Sequence, residues 1–247
     1  MSLYSLIKNH KIKKPPTCTA VIAAAGKSLR CEGEDKLYYN INGKPVLAYT
    51  LEAFQNCTFI NDIIVVAGDD CFERISDICI KYKLDKVSLT IKGGQKRSES
   101  VMNGIYAVTK KARLIAVHDG ARPCIDTDII DRTVLKAAAC NAAAPAVAIA
   151  STVKKAEDGV ISETVSREGL FEIQTPQVFR AEVVKAAMSN AVRKSIDVTD
   201  ECMAVERIGV PVHIVEGSRR NIKITDAADL KIAETFLLSS NPCKESR

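Results

Sequence analysis

Residues 18–30 read CTAVIAAAGKSLR, an apolar run that ends in small residues and then in cations. A short apolar run closed by glycine is typical of a strand buried on both faces, as in a parallel sheet. Similar runs recur at Asp62–Ala67, Val87–Lys92, Leu114–His118 and Ala144–Ala150. Segments with helical spacing separate them, at Pro45–Gln55, Cys71–Tyr82, Glu99–Lys110 and Thr127–Cys140. This alternation predicts an α/β fold, a single Rossmann-like and mostly parallel sheet with helices on both faces.

The second half of the chain departs from this rhythm. Residues 151–166 contain Asp158-Gly159, a strong hairpin signal between two half-polar strands, which predicts a β-arm that projects from the sheet. The chain then returns through strands and helices, predicted at Glu172–Val178, Ala181–Val192, Asp200–Ile208, Val210–Val215 and Asp226–Leu238. Thr199 is the predicted N-cap of the second of these helices. We expect a basic tail at 1–16, one domain at 17–240 and a C-terminal tail at 241–247.

Composition excludes several classes of protein. Of the 247 residues, 47% are apolar and 26% are charged, as in an ordinary folded domain. The longest apolar run, Ala142–Ala150, is too short to span a membrane. The net charge of +5 is mild and there is no Trp, which argues against a nucleic-acid partner that stacks bases. None of the nine cysteines forms a CxxC pair, so we expect reduced thiols in a cytoplasmic protein.

The N-terminal tail is strongly basic, with Lys8, Lys11, Lys13 and Lys14 followed by Pro15-Pro16. A solvated tail explains this pattern, and the alternative is a patch for nucleic acid or a membrane surface.

The turn after the first strand carries the clearest chemical signal. Gly26-Lys27-Ser28 does not complete a P-loop because position 21 is Val, and Ser28 excludes the dinucleotide fingerprint. What remains is a small-residue turn followed by Lys27, Arg30 and Lys36. Small residues let backbone amides approach phosphate oxygens, and three cations suit a triphosphate. The alternative is a solvated basic loop.

Three further loops follow predicted strands. Gly93-Gly94 precedes a predicted helix, and the free amides at the start of that helix could bind an anion. The alternative is an ordinary capped helix with surface charges. His118–Pro123 places Asp119 at the end of a strand, either as a ligand group or as a partner that pins Arg122. Lys223 stands before the closing helix and adds a cation. Asp126 and Asp128 form a DxD pattern that resembles a metal site, but their place at a helix start favours capping.

Taken in order, these stretches resemble the 2-C-methyl-D-erythritol 4-phosphate cytidylyltransferase family over about residues 18–238. Matching stretches further along the chain are Thr152…Lys154, Arg167–Leu170, Thr175–Gln177, Thr199–Glu201 and Glu216–Thr225. The resemblance implies a nucleotide-diphospho-sugar transferase type of sheet. It also implies a reaction of non-mevalonate isoprenoid biosynthesis, in which a phosphate oxygen of methylerythritol phosphate attacks the α-phosphorus of CTP and pyrophosphate leaves.

The resemblance also implies roles for individual residues. The catalytic residues would be Arg30, Lys36, Arg167 and Lys223, of which Arg30 and Lys36 would stabilise charge on the α-phosphate. The substrate-binding residues would be Ala24, Ala25, Gly26, Gly94, Ser100, Asp119, Gly120, Arg122, Thr152, Thr175 and Thr199. The CTP phosphates would hold Mg²⁺, and the β-arm would join two chains in a homodimer. The alternatives are a pentitol (ribitol) 5-phosphate cytidylyltransferase and a nucleotide-binding module without catalysis.

Overall fold

A computed structural model describes residues 16–26, 30–31 and 34–239. The sequence predictions for Lys27, Ser28, the basic tail before Pro16 and the C-terminal tail at 241–247 lie outside these residues. So does the side chain of Arg30, whose backbone alone is described.

Fourteen strands lie in the described part of the chain. In order they are β1 (Cys18–Ala24), β2 (Arg30–Cys31), β3 (Glu34–Asp35), β4 (Asn40–Ile41), β5 (Lys44–Pro45), β6 (Ile60–Ala67), β7 (Val87–Lys92), β8 (Leu114–Asp119), β9 (Ala142–Ala148), β10 (Val153–Glu157), β11 (Val160–Val165), β12 (Phe171–Ile173), β13 (Gln177–Arg180) and β14 (His213–Glu216).

Seven α-helices lie between the strands or follow them within the same described residues. They are α1 (Val46–Asn56), α2 (Phe72–Tyr82), α3 (Arg97–Ala107), α4 (Thr127–Cys140), α5 (Ala181–Arg193), α6 (Glu201–Glu206) and α7 (Ala227–Ser239). None of these helices combines the length and the apolar character that crossing a bilayer would need.

The main sheet has the order β7-β6-β1-β8-β13-β9-β14, and β12 also pairs with β9. Strands β1, β6, β7 and β8 run parallel to one another, and β9 and β14 are parallel to each other. Only β12 and β13 in this sheet are antiparallel to their neighbours. The predicted mostly parallel α/β sheet is confirmed. The carboxyl ends of β1, β7 and β8 therefore meet at one edge, where open α/β sheets bind their ligands.

Helices cover both faces of the sheet because successive residues of each strand point to opposite sides. In β1, Ala20 and Ile22 join the core that contains the buried side chains of α1 and α4, whereas Val21 joins the core beneath α3 and α5. Helix α3 comes very close to the sheet at Gly104. A Cβ at this position would lie 2.3 Å from Val21 Cγ1, so only glycine allows α3 its present approach.

Several element boundaries differ from the sequence predictions. The strand predicted at Ala144–Ala150 runs from Ala142 to Ala148, and α3 spans Arg97–Ala107 rather than Glu99–Lys110. The segment predicted as one strand at Glu172–Val178 is divided into β12 and β13. The strand predicted at Val210–Val215 begins only at His213.

Of the two helix N-caps predicted from the sequence, one is correct and one is wrong. Asp126 caps α4 by accepting a hydrogen bond from the Asp128 N–H, as its place before a helix predicts. The predicted cap at Thr199 is wrong: α6 begins at Glu201, so Asp200 holds the N-cap position and its carboxylate accepts from the Met203 N–H at 2.9 Å. Both Asp and Thr are favoured N-cap residues, with Asp ahead of Thr, and the position of the first helical turn decided between them.

The segment predicted as an arm forms a separate two-stranded hairpin of β10 and β11. Asp158 and Gly159 have φ values of 49° and 80°, as a tight hairpin turn of this kind requires. Nearly all of the residues of both strands are exposed, so the rest of the described chain does not cover the hairpin.

Candidate active site

A cavity of about 860 Å³ opens at the edge where β1, β7 and β8 end. Of the residues proposed from the sequence, it brings together Ala25, Gly26, Lys36, Gly94, Ser100, Asp119 and Lys223. The remaining lining residues are Ala23, Leu37, Lys92, Gly93, Gln95, Lys96, Arg97 and Ala121. Among the described residues of the lining, five side chains are cationic and one, that of Asp119, is a carboxylate. The cavity therefore favours a ligand with several negative charges.

Two small-residue turns form one wall of the cavity and are packed against each other. A Cβ on Gly93 would lie 2.2 Å from Ala25 Cβ, so a side chain there would force the turns apart. Ser100, in the first turn of α3, fixes the second loop because its Oγ accepts the Gly94 N–H at 3.0 Å and donates to the Lys96 carbonyl at 3.1 Å. The start of α3 thus faces the cavity, as expected for a helix that presents its free amides to an anion.

The carboxylate of Asp119 is almost fully buried and is held by three cations from three segments. Arg97 Nε lies 3.1 Å from Oδ1, while Lys223 Nζ at 3.1 Å and Arg122 Nε at 3.4 Å face Oδ2. Burial alone would raise the pKa of Asp119, but the charges on Arg97, Lys223 and Arg122 hold it well below its ordinary value. Asp119 is therefore an anion at any physiological pH.

Backbone contacts fix Lys223 in this arrangement. Arg122 donates from Nη1 to the Asn221 carbonyl at 2.7 Å, and the Ile224 N–H donates to the Ala121 carbonyl at 2.9 Å. The loop that carries Lys223 is thereby tied to the loop after β8 on both sides of the lysine. The suggestion that Asp119 merely pins Arg122 is too narrow, since the same carboxylate also binds two cations that line the cavity.

Arg97 and Glu201 were not assigned a role from the sequence, although both stand in stretches that carry the resemblance. Glu201 is buried in α6, and the two carboxylate oxygens receive Arg97 Nη1 at 2.9 Å and Nη2 at 3.3 Å. Burial lowers the pKa of Arg97 by itself, but the charges of Glu201 and Asp119 more than reverse this and raise it above its ordinary value. Arg97 thus joins a carboxylate of the cavity to one behind it.

Four of the predicted substrate-binding residues lie behind the cavity wall. Ala24 and Gly120 are buried, Arg122 contacts Asp119 and Asn221, and Thr175 Oγ1 accepts the Asp119 N–H at 3.2 Å. In this structure they hold the wall in place and do not reach the open space. Their contact with substrate stays a prediction.

Lys36 lines the cavity and lies near Asp229 in the first turn of α7. Burial acts to raise the pKa of Asp229 there, but hydrogen bonds from Thr225 and Asp226 and the charge of Lys36 lower it. The neighbouring Arg30 is placed only by its backbone, in a short ladder with Asp35.

Three predicted residues do not line the cavity of their own chain. Thr152 and Arg167 are exposed at the base of the hairpin, where Arg167 Nη1 donates to the Ala150 carbonyl. Thr199 is exposed before α6, with its hydroxyl 3.6 Å from Met203 Sδ. A single chain therefore does not bring the arm residues to Lys36 and Lys223.

Known proteins with similar sequences identify the family of this chain. The family model for 2-C-methyl-D-erythritol 4-phosphate cytidylyltransferase matches residues 18–239. The chain belongs to this family. Curated members from Clostridium novyi and Clostridium acetobutylicum are 39% and 41% identical to it, over 91% and 88% of this chain and 98% and 96% of theirs. The resemblance drawn from the motifs is thus confirmed.

Solved structures of the family share the fold. The 4-diphosphocytidyl-2C-methyl-D-erythritol synthase of Anaerococcus prevotii superposes with a TM-score of 0.81 at 28% identity, over 95% of this chain and 99% of that one. The cytidylyltransferase of Thermus thermophilus gives a TM-score of 0.75 at 28% identity, over 89% and 98% of the two chains.

A buried histidine lies directly beneath Asp119. His118 bonds through Nδ1 to Thr175 Oγ1 at 2.9 Å and packs against Phe54 with ring centroids 4.8 Å apart. Burial lowers the pKa of His118 from 6.5 to about 3, with the charge of Asp119 opposing and that of Arg122 adding to the shift. His118 is therefore neutral in the folded protein.

We expect His118 to make the protein less stable in mild acid. Because the unfolded chain protonates this residue near pH 6.5 and the folded chain only near pH 3, stability falls as pH drops between these values. The slope contributed is at most about 1.4 kcal/mol per pH unit. Urea unfolding of the wild type and of His118→Gln between about pH 7 and pH 5 measures it. The variant should lose less stability, and equal slopes would show that folded His118 accepts a proton.

Proposed function

We propose that this chain transfers CMP from CTP to 2-C-methyl-D-erythritol 4-phosphate. A phosphate oxygen of the acceptor bonds to the α-phosphorus of CTP, the bond between the α-phosphorus and the bridging oxygen breaks, and pyrophosphate leaves with that electron pair. The observation that supports this most is the cavity, whose described lining contains five cationic side chains and one carboxylate. Two polyanions repel each other, so a site that neutralises and aligns them supplies most of what the reaction needs.

The acceptor is the finer part of the proposal. The family model and both Clostridium relatives carry the name of the methylerythritol phosphate enzyme, which favours that acceptor over ribitol 5-phosphate. Pyrophosphate release from CTP with each of the two acceptors is the direct assay. Faster release with ribitol 5-phosphate would overturn the choice of substrate but not the chemistry. The cytoplasmic location and the absence of a nucleic-acid partner stay predictions from the sequence.

Within this proposal the cations have different tasks. Lys36, together with Arg30, stabilises the charge that grows on the α-phosphate during attack. Lys223, which Asp119 and the flanking backbone bonds hold in place, positions the acceptor phosphate. Ala25, Gly26, Gly94 and Ser100 form the small-residue wall against which the nucleotide rests.

We expect Lys36→Ala and Arg30→Ala to lower kcat far more than they raise KM. Loss of one contact made mainly in the transition state costs roughly 3–4 kcal/mol, a fall of about a hundred- to a thousand-fold. Steady-state pyrophosphate release measures both constants, with Lys231→Ala and Arg193→Ala on exposed helix positions as matched controls. A rise in KM with kcat intact would assign these side chains to ground-state binding instead.

Mg²⁺ fits the cavity only together with CTP. Among the described lining residues, Asp119 alone has a carboxylate, and three cations already occupy it. No group of three or more His, Cys, Asp or Glu side chains in the described part of the chain is placed to hold a metal ion. The phosphate oxygens of CTP would therefore supply most of its ligands, as is common for Mg²⁺. When bound, the metal neutralises charge on the triphosphate.

We expect removal of divalent cations to abolish turnover. With excess EDTA, pyrophosphate release should fall to background, and an excess of Mg²⁺ should restore it. Because the metal is expected to arrive with the nucleotide, EDTA should leave the thermal stability of the CTP-free protein unchanged. Full turnover in EDTA would refute the requirement for a metal.

The hairpin and the adjoining sheet edge support a homodimer. Val160 and Ile161 are exposed apolar residues of the arm. On β12 and β14, Phe171, Ile173 and Ile214 pair opposite Ala148, Ala146 and Ala144 of β9, so all of these residues share one face. Phe171, Ile173 and Ile214 are 42%, 37% and 47% exposed. Three partly exposed apolar side chains beside an exposed hairpin indicate an interaction surface, and closed two-fold symmetry would exchange the arms. Thr152 and Arg167 would then reach the partner's cavity.

We expect two inactive variants to complement each other. Arg167→Ala damages the arm and Lys223→Ala damages the cavity, so each homodimer should be nearly inactive. When the two variants are refolded together, random association makes about half of the dimers mixed. Each mixed dimer has one intact site out of two, so about a quarter of wild-type activity should return. If mixed dimers are present and activity does not return, Arg167 acts within its own chain.

A further inference from the structure

Glu201 is a buried carboxyl group that is paired with Arg97. Burial raises its pKa, and the charge and hydrogen bonds of Arg97 oppose that rise. Glu201 is 1% exposed and lies in α6, outside the cavity lining. A buried carboxylate is costly unless it is paired, and an apolar residue of similar volume commonly stabilises such a site better. Its geometry therefore calls for a reason beyond stability.

The reason lies in how Arg97 is shared. Nη1 and Nη2 of its guanidinium bind Glu201, and Nε of the same planar group donates to Asp119 Oδ1 at 3.1 Å. The guanidinium is rigid, so a bidentate contact at one end fixes the direction of the third nitrogen. Glu201 thus determines which of the two Asp119 oxygens is within reach of Arg97.

The orientation of Asp119 in turn determines the environment of Lys223. With Oδ1 bound to Arg97, Oδ2 faces Lys223 Nζ at 3.1 Å. Without Glu201, Arg97 is free to turn and bind both oxygens of Asp119, the arrangement that arginine and carboxylate prefer. Lys223 would then compete with Arg97 for Oδ2, an oxygen that it now shares with Arg122.

The helix that carries Glu201 has an anchor of its own. Gln177 donates from Nε2 to Asp200 Oδ2 at 2.8 Å and accepts the Cys202 N–H at 3.0 Å, and Asp200 caps α6. Removal of the Glu201 charge therefore leaves α6 attached to the sheet. A structural role and a positioning role can be separated by experiment.

We propose that Glu201 is a positioning residue for the transfer reaction, which acts through Arg97 and Asp119 on Lys223. The inference rests on the proposed active site. Glu201 does not contact substrate. Its loss moves the Lys223 ammonium and leaves the small-residue wall that binds the nucleotide unchanged. Outer-shell partners that orient metal ligands contribute about 10- to 100-fold to activity, and we expect an effect of the same order for a group that orients a catalytic lysine.

Glu201→Gln keeps the size of the side chain and removes its charge. We expect kcat to fall about 10- to 100-fold, with KM for CTP changed by less than about threefold. Glu206→Gln is the matched control, since it makes the same change at the exposed end of the same helix and should keep wild-type kcat. Thermal unfolding of both variants confirms that the assays compare folded protein.

A double-mutant cycle tests the route of the effect. If Glu201 acts through Arg97, adding Glu201→Gln to Arg97→Met should not lower kcat further, whereas independent effects would multiply. Arg97→Lys keeps a cation beside Glu201 but cannot span two carboxylates, so it should lower kcat to a similar extent even if Glu201→Gln does not fold.

Three results would overturn the inference. They are a kcat of folded Glu201→Gln within about twofold of wild type, a rise in KM alone, and multiplicative losses in the cycle. Lys223→Ala, measured in the same assay, tests the proposed site separately. If that variant keeps full turnover, the assignment of Lys223 is wrong irrespective of Glu201.

Discussion

The site depends on one buried carboxylate. Asp119 ends the central strand β8 and is held by Arg97 from α3, by Arg122 from its own loop and by Lys223 from the loop before α7. Three cations so close together would repel one another without an anion between them, and a buried anion would be costly without them. Each charged group offsets the free-energy cost of burying the others. Together they connect three segments that are distant in the sequence.

The positive character of the cavity is a product of topology and not of overall charge. The chain carries a net charge of only +5, yet the described lining of one cavity contains five cations and one carboxylate, which is paired with three cations. Parallel strands bring the loops after β1, β7 and β8 to the same edge, and the loop before α7 joins them. A modest excess of lysine and arginine thus becomes a concentrated field where a polyanionic substrate would bind.

The antiparallel segment of the sheet supports the same edge from behind. Strand β13 lies between β8 and β9, and just before it Thr175 bonds to the backbone of Asp119 and to His118. Beyond β9, the side chains of Phe171, Ile173 and Ile214 on β12 and β14 are partly exposed, and the hairpin leaves the fold beside them. The strands that stabilise Asp119 are thus continuous with the surface proposed for the second subunit.

The sequence by itself determined the local features of this protein. Apolar runs and helical spacing located the main strands and helices, Asp158-Gly159 specified the hairpin, and Asp126 marked a helix start, because each signal reflects backbone preferences over a few residues. The small-residue turn, Lys36, Asp119 and Lys223 were also identifiable, since they follow predicted strand ends and occur in family motifs. Tertiary structure alone decided that Asp200 and not Thr199 caps α6, that Arg122 and Thr175 lie behind the wall, and that Arg97 joins Glu201 to Asp119. Arg97 and Glu201 are 104 positions apart. No local pattern encodes such a pair, because its energy exists only once the helices are packed and water is excluded.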